Sequence, residues 1–184
     1  MTRRPIGAPL FALTVLAVPA SAQAATHVGA FAMTESSSCS GDCGSAVKEN
    51  TPDFGGSFLF TGRYGDWGIF LEMGGNNQAP FAGLGGIRWV GPVRFMVGPY
   101  FTAHHAEYDF PGPFPKAKSS DQVTALGAEV AYKGVYLQYQ RYSAKHRFHS
   151  SRPDPNNPGA TLTRNAKASF DVNAFTLGYR YKLW

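Results

Sequence analysis

The feature that most constrains this chain is a period-two alternation of apolar and polar side chains that recurs in eight stretches. Only a β-strand places residues two apart on one face. In the second stretch Phe54, Phe58, Phe60 and Tyr64 share a side, while Ser57, Thr61 and Arg63 share the other. Trp67, Ile69, Leu71 and Met73 oppose Glu72 in the third; Val93, Phe95, Val97 and Phe101 oppose Arg94 and Thr102 in the fifth. In the last, Phe175, Leu177, Tyr179 and Tyr181 oppose Thr176, Arg180 and Lys182. The alternation predicts strands at about His27 to Glu35, Phe54 to Tyr64, Trp67 to Gly74, Phe81 to Val90, Val93 to His105, Val123 to Tyr132, Val135 to His146 and Phe170 to Leu183.

The connections alternate too. Gly65-Asp66, Gly91-Pro92 and Lys133-Gly134 carry the chemistry of tight hairpin turns. The others, Ser36 to Asp53, the brief Gly75 to Pro80, Ala106 to Gln122 and Arg147 to Ser169, are longer. A ring with one trim and one ragged end follows, so the predicted fold is all-β, an eight-stranded antiparallel up-and-down transmembrane barrel. An antiparallel sandwich is the competing fold. The barrel is favoured by 21 Gly, 14 Phe and 9 Tyr with only 16% charged residues, a composition suited to strands with one face in lipid.

If the apolar faces point outward, Arg63, Glu72, Arg88, Arg94, Glu129 and Arg180 converge inside. Eight strands leave an interior that side chains can fill, and buried arginines need carboxylate partners. The expected interior is therefore an ionic plug and not a pore. Tyr64, Trp67, Trp89, Tyr132 and Tyr181, near the tight turns, are expected to form an aromatic girdle on the periplasmic side.

The first 24 residues read as a signal peptide. Arg3 and Arg4 precede the apolar run Leu10 to Val18, and Ala22-Gln23-Ala24 offers a small-residue cleavage site. The run is too short for a membrane-spanning helix, and no later apolar stretch reaches the needed length. Residues 25–184 are expected to form the barrel, exported through the periplasm to a bacterial outer membrane. Loss of Arg3 and Arg4 lowers the formal charge from +5 to +3. With no recognisable nucleic-acid motif, an anionic membrane surface is the more economical partner. Cys39 and Cys43, an even pair in an exported chain, are expected to form a disulfide in preference to a metal site.

The signal peptide, the eight alternating runs and the closing segment Phe175 to Trp184 together resemble the small outer-membrane barrels of the OmpX and OmpA transmembrane-domain type. That resemblance implies architecture, and recognition of the final strand by the barrel-assembly machinery. A narrower resemblance, to the PagL family of lipid A deacylases, rests on His149-Ser150-Ser151 and Pro155 to Gly159. It implies His149 as general base and Ser151 as nucleophile of an acyl-ester hydrolase. Arg152 stands where that family has Asn, and no Glu follows Glu129 to orient the imidazole.

Arg141, Lys145 and Arg147 share the outward parity at the far end of the seventh strand, where they would meet lipopolysaccharide phosphates. His105, Glu107 and Asp109 alternate in a way that could supply metal ligands, but an exposed Pro-rich loop offers them no fixed geometry, and no metal or other cofactor is expected. The neighbouring Asp109 to Pro115 is stiff and aromatic, and is expected to protrude as a contact surface. The primary expectation is a passive barrel that contacts lipopolysaccharide or external partners; lipid A deacylation is the alternative.

Overall fold

The computed structural model describes residues 23–43 and 53–184. Eight strands form one closed antiparallel ring in sequence order: β1 (Gln23–Gly41), β2 (Asp53–Tyr64), β3 (Trp67–Asn76), β4 (Pro80–Val90), β5 (Val93–Tyr108), β6 (Ala117–Tyr132), β7 (Val135–Pro153) and β8 (Thr161–Lys182). The expected signal peptide falls outside the described residues except for Gln23 and Ala24, which begin β1. The three tight turns lie where the sequence places them. Gly65 and Gly91 adopt positive φ, and at Lys133-Gly134 both residues do, with φ of 47° and 91°. Two successive positive φ values define a type I′ turn, whose twist matches the flanking strands.

The strands lean within the ring. Stepping across neighbouring pairs from Ala24 through Gly62, Ile69, Gly86, Val97, Ala128, Tyr139 and Phe175 returns to β1 at Thr34, ten residues further along. This stagger is the shear that closing a sheet requires.

Several strands are longer than predicted. The segments 106–122 and 147–169, expected as loops, are mostly extensions of the β5–β6 and β7–β8 hairpins. Pairing between β7 and β8 continues to Pro153 and Thr161, and β8 pairs with β1 as far as Gly41. β6 and β7 instead part company above Leu126 and Arg141. Beyond that point a hydrogen bond from the Lys145 amide to Asp121 Oδ2, at 2.8 Å, joins the two strands.

The loop 109–116 does not protrude. Phe110 and Phe114 turn inward and join a buried cluster with Tyr142, Phe148 and Phe170. Phe114 lies under the guanidinium groups of Arg152 and Arg164, 4.9 and 4.8 Å from its ring centre. Arg164 Nη1 donates to the Pro111 carbonyl at 3.1 Å and Ser150 Oγ to that of Pro115 at 2.8 Å. Two aromatic rings leaving water, held by three polar side chains, favour this inward closure over an exposed loop.

Glycines shape the interior of the opposite half. Tyr100 is buried, and a Cβ at Gly83 on β4 or Gly127 on β6 would run into its ring. β4 therefore needs glycine where an inward side chain would otherwise stand, which blurs its alternation.

Candidate functional site: an apolar belt, an ionic plug and a cationic band

From the turns to roughly Phe101, Leu126, Tyr139 and Phe175, the large outward residues are apolar and exposed, with Arg88 near the β4–β5 turn the charged exception. On β8 they are Tyr181, Tyr179, Leu177 and Phe175; on β7, Val135, Leu137 and Tyr139; on β3, Trp67, Ile69, Leu71 and Met73. The inward residues at these levels include Thr61, Glu72, Glu129, Gln138, Thr176 and Arg180, all buried.

Further along the same strands the pattern reverses without a change of parity. On β7 the outward positions become Arg141, Ser143, Lys145, Arg147 and His149, and the inward ones Tyr142, Ala144, His146 and Phe148. On β8 they become Asn173, Asp171, Ser169 and Lys167 outward, with Val172, Phe170, Ala168 and Ala166 inward. A contiguous exposed apolar belt of this extent has no stable place in water. Polar inside with apolar outside belongs to lipid, and the reverse belongs to water, so the reversal locates the boundary of the hydrocarbon at Tyr139 to Arg141 on β7.

Inside the belt, Arg180 bridges the two buried carboxylates. Its Nη1 lies 2.5 Å from Glu129 Oε1 and its Nη2 2.6 Å from Glu72 Oε1. Arg94 Nη2 joins Glu129 Oε1 at 3.3 Å, and Tyr100 Oη donates to Glu72 Oε2 at 3.4 Å. The Arg180 guanidinium also stacks on Tyr136, 3.7 Å from its ring centre. Two acids and two arginines make the cluster electrically neutral, and each carboxylate accepts at least two contacts, as burial of charge demands. The cavity above this cluster, lined in part by Phe31, Glu72, Gln138 and Tyr142, measures only about 30 Å³, room for about two waters.

Arg63 and Arg88, also expected in the plug, lie outside it. Arg63 faces inward near the turn, donates to the Gly65 carbonyl at 2.7 Å, pairs with Asp66 at 3.7 Å and covers Trp89. Arg88 faces outward and stacks on Trp67. The reason is the parity of β4, whose inward set is Phe81, Gly83, Gly85, Ile87 and Trp89. Trp89 accordingly leaves the expected girdle, whereas Tyr64, Trp67, Tyr132 and Tyr181 are exposed on the outer face.

Just above the belt, Arg141, Lys145 and Arg147 project outward from β7. Lys167 on β8 stands directly opposite Arg147, a contribution the sequence reading missed. Like charges facing each other across a ladder repel. Among the described residues, none of these four side chains has a carboxylate partner. The acid in the band, Asp171, accepts the Ser143 hydroxyl. The signal for Lys167 lay in its parity, since β8 alternates without interruption through that position.

His149 and Ser151 share this outward face. His149 Nδ1 lies 2.8 Å from the Asn165 side-chain oxygen, so an amide meets the imidazole where a hydrolase would use a carboxylate. Cys39 and Cys43 form a disulfide with Cα atoms 5.9 Å apart. Glu107 pairs with Lys118 at 2.7 Å, Asp109 with Lys116 at 3.6 Å, and His105 is exposed. Among the described residues, no group of three or more metal-ligating side chains comes together.

No family model matches the chain, and no curated protein matches it in sequence. Its structure is similar to that of Ail, the attachment invasion locus protein of Yersinia pestis, at 11% identity and a TM-score of 0.46, over 86% of this chain and 97% of that one. It is also similar to Neisserial surface protein A, at 16% identity and a TM-score of 0.33, over 84% and 97%. The outer membrane protein OprG of Pseudomonas aeruginosa matches at 16% identity and a TM-score of 0.32, over 86% and 95%. These are likenesses of fold, and the chain's own ladder of hydrogen bonds defines it as a closed eight-stranded antiparallel barrel.

Proposed function

We propose that this chain is an integral barrel of a bacterial outer membrane, with a filled interior, whose outer rim holds lipopolysaccharide phosphates on Arg141, Lys145, Arg147 and Lys167. The observation that supports the reading is the reversal of polarity along β7 and β8: four cations without a carboxylate partner among the described residues follow directly on a lipid-suited belt. Arginine matches phosphate oxygens bidentately and lysine adds point charge, and both act most strongly at a partly desolvated boundary. The tight turns would then lie in the periplasm and the long hairpins outside the cell. Delivery would follow cleavage after Ala24, with the barrel-assembly machinery recognising β8. The band also contains His149 and Ser151, but the Asn165 amide cannot stabilise an imidazolium as a carboxylate does, so a holding role is preferred to lipid A deacylation.

Purified barrel in detergent should resist dodecyl sulfate when cold and shift its gel mobility on boiling. It should also bind lipopolysaccharide in a salt-sensitive manner. Replacing Arg147 and Lys167 together with Ser should weaken that binding at least tenfold while leaving the heat shift intact. Undiminished binding would remove the role assigned to the band, and release of acyl chains from lipid A, abolished by Ser151→Ala, would replace it with hydrolysis.

A further inference from the structure

The ionic cluster does not fill the barrel to its turn end. Between the cluster and the turns lies a recess of about 300 Å³, lined by His27, Trp89, Arg94, Lys133, Arg180 and Lys182 among others. Its charge is one-sided. The two carboxylates nearby, Glu72 and Glu129, pair with Arg180 and Arg94, with Glu129 Oε2 left over, and Asp66 pairs with Arg63, while Lys182, Lys133 and His27 bring no further acid. Lys182 shares the inward parity of Arg180, stands opposite His27 on β1, and has no acidic partner among the described residues. Lys133 at the rim rests on the Tyr132 ring.

Donor capacity is left over as well. Arg94 makes one contact, to Glu129, through Nη2, and its Nε is buried with no acceptor. Arg180 commits Nη1 and Nη2 to the carboxylates and leaves Nε buried without a partner, and His27 Nδ1 is in the same position. A buried donor with no acceptor costs about 1–3 kcal/mol, and two such atoms, the Nε of Arg94 and of Arg180, sit on side chains that line one recess.

We propose that this recess is a binding site for a phosphate group. A phosphate oxygen can accept from the Arg94 Nε–H, which has no other acceptor. Its negative charge balances Lys182 and Lys133, and its size suits the recess. A cation is excluded by charge, and an apolar ligand would leave the donors unanswered. The same chemistry is offered by a lipid phosphate at the membrane surface and by free phosphate.

The test uses the folded protein in octyl glucoside, a detergent without phosphate, followed by nuclear magnetic resonance at the Gly134 amide and the Arg94 Nε–H. Inorganic phosphate should shift both signals saturably. Arg94→Gln and Lys182→Gln should each weaken binding at least tenfold, while Lys118→Gln, on a distant hairpin, should not. Lys182 is exposed, so its variant keeps the test informative if Arg94→Gln fails to fold. Dihexanoyl phosphatidate in place of phosphate identifies the source: tighter binding than inorganic phosphate points to a lipid, weaker binding to the free ion. Absence of saturation with either ligand, or parental affinity in the Lys182→Gln variant, overturns the proposal.

Discussion

The two halves of this barrel are built from the same strands with opposite interiors. Toward the turns the ring is closed by hydrogen bonds all round, the inside is ionic and the outside apolar. Toward the hairpins β6 and β7 separate, the inside is aromatic and the outside charged. Tyr136 and Phe148 lie on one face of one strand, yet one stacks on a buried arginine and the other on Tyr108. Solvent accounts for the difference. Lipid leaves no route for an unpaired backbone group, so the ring must close there, and it rewards apolar contact on the outside. Water tolerates an open seam and drives apolar groups inward.

The comparison can be broken most directly at Arg180. Replacing it with Met leaves Glu72 and Glu129 buried without their shared cation and should cost about 3–5 kcal/mol, measured by urea unfolding in lipid vesicles. A parental midpoint would mean that the closed half does not depend on its ionic cluster. In the other half, Phe148→Ala should cost about 3 kcal/mol, but locally. Amides of β7 and β8 beyond Arg141 should exchange roughly 100-fold faster, while those of β2 and β3 and the heat shift stay unchanged. Global loss of protection would show that the halves form one cooperative unit.

The boundary itself is sharpened by two arginines on one outward face of β6. Val130→Arg, within the belt, should destabilise by about 2 kcal/mol or more. Ser120→Arg, beyond it, should change stability by less than about 0.5 kcal/mol. Equal effects in the same vesicle assay would erase the boundary. The smallest expected effect is at the Glu107–Lys118 pair in the β5–β6 hairpin. The hydrogen bond and charge of Lys118 hold the Glu107 carboxyl below its usual range, and Glu107 in turn raises Lys118. The contribution of Glu107 is present above the ordinary carboxylate pKa and fades as pH falls through its lower folded value. That of Lys118 is present below the ordinary amine pKa and fades as pH rises through its higher folded value. Carboxyl carbon shifts should show Glu107 titrating at lower pH than in a Lys118→Gln variant.

The half that meets lipid was readable from the sequence because one-sided strands with an apolar outer face carry a strong period of two. The other half is legible only in part. The seventh strand can be read as far as His146, but 106–122 and 147–169 read as loops, because beyond the lipid-facing belt the sign of the alternation is reversed and a run such as Arg147, His149 and Ser151 has no apolar residues on its outward side. β4 failed for another reason. Gly83, Gly85 and Gly86 remove the side chains that would reveal parity, so the sequence alone points Arg88 inward and Trp89 outward. Of the candidate band, Arg141, Lys145 and Arg147 could be read from the parity of β7, while Lys167 was lost with the outer half of β8. The inward turn of Phe110 and Phe114 depends on Arg152 and Arg164, distant in sequence, and no local pattern announces it.

The pairing of β1 with β8 sets a condition on how the barrel can form. Thr34 meets Phe175, and Val28 meets Tyr181, so the final seam joins nearly the two extremes of the described chain. Until β8 arrives, β1 and β7 each present an edge whose amides and carbonyls have no partner, and hydrocarbon provides none. A half-made ring therefore cannot rest in the bilayer core. Contacts this remote in sequence also form late and slowly. Insertion and closure become a single kinetic event, and the arrival of β8 controls when β1 can enter the membrane.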